Sequence, residues 1–213
     1  MSFFENTRKP VGLGGKLMVA MMNLGHSPVA RWGLRFLRLT PNAKVLDCGC
    51  GGGANIKTLL KLCPKGKVQG IDYSAVSVEK ARKVNASAIA SGRCTVQQAS
   101  VAELPFEAEQ FDVVTAFETV YFWPELAQNF REVYRVLKPG GIFFICNEAN
   151  GETTKDDEWT QIIDGMTIYT DADLKVYLEQ AGFGRAQSHK NKKGWLCVTA
   201  QKRTSPVWIT RQI

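Results

Sequence analysis

The segment Val45-Leu46-Asp47-Cys48-Gly49-Cys50-Gly51-Gly52-Gly53-Ala54 constrains this chain more than any other. A short apolar run enters a cluster of glycines, after which Ile56, Leu59, Leu60 and Cys63 step at helical spacing. Glycine takes up left-handed backbone at little cost and lets backbone pass close to a ligand, so the pattern is a strand, a tight ligand-facing turn and a helix. The alternation continues. Strands are expected at 67–72, 95–99 and 111–117, with a helix capped by Ser74 and running to about Ala88 between the first two. Leu126, Phe130, Val133 and Leu137 trace a helix stopped by Pro139-Gly140-Gly141, and the unbroken apolar run 142–146 suits a strand covered on both faces. Trp159, Ile162 and Ile163 suggest a short helix. Thr170-x-x-Asp173 resembles a capping box opening a helix with Leu174, Leu178 and Ala181. Two further strands, near 183–189 and 195–201, are joined by too few residues for a parallel crossover and must be antiparallel. Upstream, Leu17, Met21 and Leu24, and after Ser27-Pro28 the stripe Val29, Trp32, Phe36 and Leu39, mark two amphipathic helices.

These elements predict an α/β fold: a doubly wound, mainly parallel seven-stranded sheet with an antiparallel closing strand and N-terminal cap helices. The expected divisions are a helical cap over 1–43, the main domain over 44–202 and a tail over 203–213. A chain of 213 residues that is 45% hydrophobic and 22% charged has a core of its own and is not disordered. No apolar run reaches the roughly 20 residues of a membrane helix, and the first residues lack the order of a signal peptide. A cytoplasmic protein without a membrane span is the expectation.

The net charge of +7 is unevenly placed. Residues 1–44 carry +6 and residues 185–213 carry +7, while the body between them is acidic. Such ends read first as solvated faces and second as a hold on RNA or an acidic substrate. The six cysteines (Cys48, Cys50, Cys63, Cys94, Cys146 and Cys197) form no C-x-x-C pair and have only His26 and His189 to help them. Buried free thiols are expected, and no metal site.

Gly49-x-Gly51-x-x-Ala54, with Asp72 near the distance of a ribose-binding acid, satisfies a dinucleotide fingerprint. Asp47 argues against that ligand. A carboxylate two residues before the first glycine would oppose a pyrophosphate by ~4 kcal/mol at 4 Å with an effective dielectric of 20. A nucleoside with an amino group, a sulfonium and no phosphate reverses the sign, which describes S-adenosylmethionine. A role for Asp47 in capping the turn alone stays open.

At this point the sequence resembles the class I S-adenosylmethionine-dependent methyltransferases, Rossmann-like in fold. VLDCGCGGG (45–53) resembles their first motif and GIDYS (70–74) their acidic second motif. AELPFEAEQFDVV (102–114), REVYRVLKPGGIFFI (131–145) and YTDADLKVYLEQAGF (169–183) are similar to later segments in the same order. The likeness covers about 44–201 and is nearest the small-molecule subgroup that includes quinone-biosynthesis methyltransferases (methyltransferase type 11). It implies S-adenosyl-L-methionine as cofactor and S-adenosyl-L-homocysteine as product. It also implies cofactor contacts from Asp47, from backbone at Gly49, Cys50 and Gly51, from Asp72 to the ribose hydroxyls and from Tyr73 to the adenine face. Ser100 or the Val101 backbone would meet the adenine amino group, and the Phe117 carbonyl the cofactor's amino group. Ser100 stands where the family usually has an acid.

Methyl transfer from a sulfonium is an in-line displacement, so positioning in a desolvated site carries much of the rate and no dedicated base is assigned. The acceptor is expected against Glu118, Tyr121 and Trp123, with cation–π contact worth ~0.5–2 kcal/mol; His26 is a further candidate at the mouth. The Asn/Asp-Pro-Pro-Tyr/Phe and Pro-Cys signatures of nucleic-acid-modifying members are absent. A small-molecule acceptor is therefore preferred to RNA. A regulatory protein that binds the cofactor without transferring from it keeps the same motifs and stays open.

Overall fold

The computed structural model of the chain describes residues 27–184 and 186–204. The predicted helix around Leu17, Met21 and Leu24, His26 and residues 205–213 lie outside them. The described residues open with a short helix, α1 (Ser27–Gly33), continued by a 3-10 turn (Leu34–Phe36). The strand expected before the glycines is β1 (Lys44–Cys48), whose Val45, Leu46 and Cys48 are all fully buried. It pairs in parallel with a strand on either side, which is why it carries no polar face.

From there strand and helix alternate: α2 (Ala54–Leu62), β2 (Lys67–Asp72), α3 (Ala75–Val84), α4 (Ala86–Ala90), β3 (Cys94–Gln98) and β4 (Phe111–Phe117). Next come α5 (Leu126–Val136), β5 (Leu137–Asn147), α6 (Thr154–Ile162), α7 (Asp171–Gln180), β6 (Gln187–Lys190) and β7 (Leu196–Gln201). The sheet has seven strands in the order β3-β2-β1-β4-β5-β7-β6. β1 to β5 run parallel, and β7 is antiparallel to both of its neighbours. The antiparallel strand thus closes the sheet from inside, between β5 and β6, and leaves the polar β6 as the edge.

Side chains alternate across the sheet and feed two cores. Val114, Ala116, Phe143 and Ile145 face α5 and α7, whose Phe130, Val133, Leu174 and Leu178 are fully buried. Val45, Phe117, Phe144 and Cys146 face α1, α2 and α3 through Val29, Ile56, Leu59 and Val78. All six cysteines are buried and unbridged. Helices on both faces give the doubly wound architecture. The strand order reverses between β1 and β4, and in such sheets a crevice opens there beyond the strands' C-terminal ends.

Three local expectations change. The stripe predicted through Leu39 ends at Phe36, and the buried residue beyond it is the extended Leu37. Gly33 lies flat against β5, where a Cβ would collide with Cys146 Sγ, and so close an approach ends the helix on a poor helix former. The helix predicted to Ala88 breaks at Asn85, whose side-chain amide donates to the carbonyls of Gly53 and Ala81, each at 3.0 Å. β5 begins at Leu137 rather than after the glycines. An irregularity opposite Phe111/Val113 absorbs Pro139-Gly140-Gly141, and Gly140 N–H and Gly141 C=O bond to Lys202.

Candidate functional site

The glycine turn is built by three left-handed residues, each for a separate reason. Gly49 (φ +72°) presses on Thr119 and Gly53 (φ +79°) on Asn85 and Ala81, so a Cβ at either would collide. Gly51 (φ +51°) faces open space, with nothing within 4 Å of a Cβ built there. The N–H groups of Gly49 and Cys50 both donate to the Ile71 carbonyl at 2.9 Å, tying the turn to β2.

At the end of β2, Asp72 accepts from Gly51 N–H through Oδ2 and from Ser74 N–H through Oδ1, both at 2.9 Å. Burial raises its pKa while these two donors oppose the rise. Of the carboxylate's roughly four acceptor sites two are taken by backbone and the rest are shared with the Ser77 hydroxyl, so it can accept ligand hydroxyls in that hydroxyl's place. Tyr73 beside it is 40% exposed. The Ser100 hydroxyl accepts from Ala102 N–H at 3.2 Å.

These groups line one cavity of about 410 Å³, the size of a small-molecule site. The cavity brings together Gly49, Cys50, Gly51, Asp72, Tyr73, Ser100, Val101, Phe117, Glu118 and Trp123 of the residues singled out from sequence. Ser27, Val29 and Ala30 of α1 also line it. Thr119, Phe122, Asn55 and Ser77 join the wall without a sequence signal, because only the crossing of β1, β2 and β4 places them there.

Two expected residues lie elsewhere. Asp47 is 1% exposed and behind the turn, where the Thr115 hydroxyl from β4 donates to Oδ1 at 2.7 Å and Oδ2 has no partner. Burial pushes its pKa to about 7. Tyr121 is buried behind Glu118, its hydroxyl accepting from Ala149 N–H at 3.0 Å and facing Glu118 Oε2 at 3.4 Å. Burial and the neighbouring Glu118 carry its pKa well above the usual phenol range. Phe122 takes the wall position expected of Tyr121, and Trp123 both lines the cavity and stacks on the core ring of Phe143.

Glu118 is the oddest residue of the site. It adopts φ +56°, a conformation non-glycine residues rarely hold and one that clusters at functional positions. Its Oε1 is buried without a partner. Burial, reinforced by the nearby Glu148, lifts its pKa well above the ordinary carboxylate value. At the end of β5 next to it, Asn147 has both amide atoms buried and unpartnered.

Among the described residues the cavity wall includes two acids and no lysine, arginine or histidine. A pyrophosphate would find no countercharge, whereas a phosphate-free nucleoside with a cationic end meets Asp72 at the ribose and an acidic wall beyond. The residues present therefore fit S-adenosylmethionine and not a dinucleotide. Among the described residues no group of acids, cysteines and histidines could hold a metal ion, and no helix is long and apolar enough to cross a membrane.

Comparison with known proteins points the same way. Residues 46–145 match a family described as "Methyltransferase domain". The chain is 31% identical over 156 residues to cycloartenol-C-24-methyltransferase of Arabidopsis thaliana, covering 69% of this chain and 46% of that protein. It is 28% identical over 156 residues to 24-methylenesterol C-methyltransferase 3 of the same plant, covering 69% and 43%. The chain thus spans less than half the length of these relatives. Among solved structures, human N-acetylserotonin methyltransferase in complex with SAM superposes with a TM-score of 0.75 at 18% identity, covering 90% of this chain and 56% of that one. A chain from the complex of a Haloferax volcanii methyltransferase activator with a putative methyltransferase gives 0.80 at 20%, covering 89% and 95%.

Proposed function

Because the chain carries a class I S-adenosylmethionine-dependent methyltransferase domain, we propose that it is an enzyme that moves a methyl group to a small-molecule acceptor with an apolar body. The observation that carries this reading is one continuous cavity with Asp72 and the open face of Gly51 at one end and Phe122, Trp123 and Glu118 at the other. When bound, S-adenosylmethionine supplies a methyl group made electrophilic by its sulfonium sulfur.

The chain's own residues do the rest. Asp72 holds two hydroxyls, the bare backbone of Gly51 admits the ligand, and Tyr73 covers its base. Cys50 and Gly49 contribute backbone along the same wall, the Phe117 carbonyl meets an ammonium group, and Ser100 or Val101 closes the far end. Val29, Phe122 and Trp123 keep water from the acceptor side, which favours displacement between two held partners. Glu118, on the wall of that space, orients a polar group on the acceptor. Asp47 acts from behind, through the turn. The relatives named for sterol substrates have apolar acceptors, consistent with this wall.

Two measurements test the reading. Calorimetry should show S-adenosylhomocysteine binding, and incubation of a metabolite extract with methyl-labelled cofactor should yield a labelled small molecule. Binding without any labelled product would make the protein a cofactor-binding regulator, and label in RNA alone would contradict a small-molecule acceptor.

A further inference from the structure

A second groove of about 370 Å³ lies between α1 and α2. It shares Ser27 and Ala30 on one side and Ala54 and Asn55 on the other with the main cavity, so the two adjoin. From that junction it follows α2 to Leu62, eight residues beyond Ala54 and about 12 Å away at helical rise. Its apolar lining is Ala30, Leu34 and Leu62, the last 42% exposed. Its charged lining is Arg31 and Arg35, four residues apart and both exposed. Among the described residues no acid lines the groove and no ion pair neutralises either guanidinium.

Charge is therefore segregated along one joined space. Among the described residues the main cavity has acids and no cation, and the groove has cations and no acid. A ligand that is apolar throughout gains nothing from this division, and a cationic one is repelled at the groove. Planar, doubly donating guanidinium groups suit carboxylates and phosphates. The methionine end of the cofactor does not account for the groove, since an amino-acid moiety needs neither its length nor the exposed Leu62 at its far end.

Building on the methyltransferase reading above, we propose that the acceptor is an amphiphilic anion whose carboxylate or phosphate sits between Arg31 and Arg35 while its apolar body enters the main cavity. The segregated charge sets which end goes in first, since complementary potentials fix register more than they add affinity.

The test uses the full chain saturated with S-adenosylhomocysteine, titrated by calorimetry with dodecyl phosphate, dodecanoate and dodecanol below their micelle concentrations. At least one anion should bind ten times or more as tightly as dodecanol. The tighter of the two identifies a phosphorylated or a carboxylic head. In Arg31→Glu/Arg35→Glu that preference should disappear, with S-adenosylhomocysteine affinity within threefold of the parent; Arg31→Gln/Arg35→Gln should show an intermediate loss. Equal binding of dodecanol, or a preference that survives both double variants, overturns the proposal. So does a fall in S-adenosylhomocysteine affinity in the variants with the preference intact, which would give the arginines to the cofactor. Failure of the parent chain to bind S-adenosylhomocysteine at all would instead strike the methyltransferase reading beneath it.

Discussion

Asp72 joins the two halves of the site's logic, because one carboxylate holds the glycine turn through Gly51 and caps the start of the next helix through Ser74. Asp72→Ala removes the acceptors for two ligand hydroxyls, each charge-assisted bond contributing about 1.5–3 kcal/mol. S-adenosylhomocysteine affinity should fall at least tenfold by calorimetry, and an unchanged value would remove the ribose assignment. Asp47 predicts a pH effect. Its carboxyl titrates near 7 when folded against 3.8 ordinarily, so between these values the folded chain keeps a proton that the unfolded chain has released. Its contribution is fully present below pH 4 and declines as pH rises through 7, by at most about 1.4 kcal/mol per unit. Asp72 and Glu118 are shifted in the same direction. Asp47→Asn should therefore lessen, without abolishing, the loss of melting temperature between pH 5 and pH 8; identical slopes for the two proteins would refute the assignment.

At the scale of elements, the site stands on the short break between α3 and α4. Asn85 is 4% exposed and holds the Gly53 carbonyl, so the turn is clamped from the helix side as well as from β2. Asn85→Ala leaves that carbonyl without its side-chain donor at about 1–3 kcal/mol. The melting temperature should drop and cofactor affinity weaken together; a drop in stability with affinity untouched would mean the clamp does not reach the ligand. This break was not legible in the sequence, because Ala, Ser and Ile carry the helical pattern through residue 85 and the partner of Asn85 lies 32 residues away. The strands and the larger helices were legible, since buried parallel strands read as unbroken apolar runs and glycines mark the turn. Asp72 and Gly51 were expected from spacing, and Tyr73 from the family resemblance. The inward placement of Asp47 and the swap of Tyr121 for Phe122 did not. Both depend on how β4 and the 3-10 turn after it cross β1, which is a property of packing.

For the molecule as a whole, charge and topology have separate roles. The crevice sits where strand order reverses, and its wall lacks any cation among the described residues. S-adenosylhomocysteine should bind while adenine dinucleotides show no measurable affinity in the same titration, and a dinucleotide that binds as tightly would overturn the electrostatic reading. The basic excess of residues 1–44 reaches the described structure at Arg31 and Arg35, beside the cavity and not within it.

The slot filled by β7 has a consequence for biosynthesis. Leu196, Cys197, Val198 and Ala200 are buried between β5 and β6, so the latest in sequence of the described strands is an interior one. A nascent chain still held at the ribosome can assemble β1 to β5 but must leave β5 with an open, sticky flank until translation passes residue 201. Stalling or premature termination just before that point should therefore yield a chaperone-dependent, protease-sensitive species.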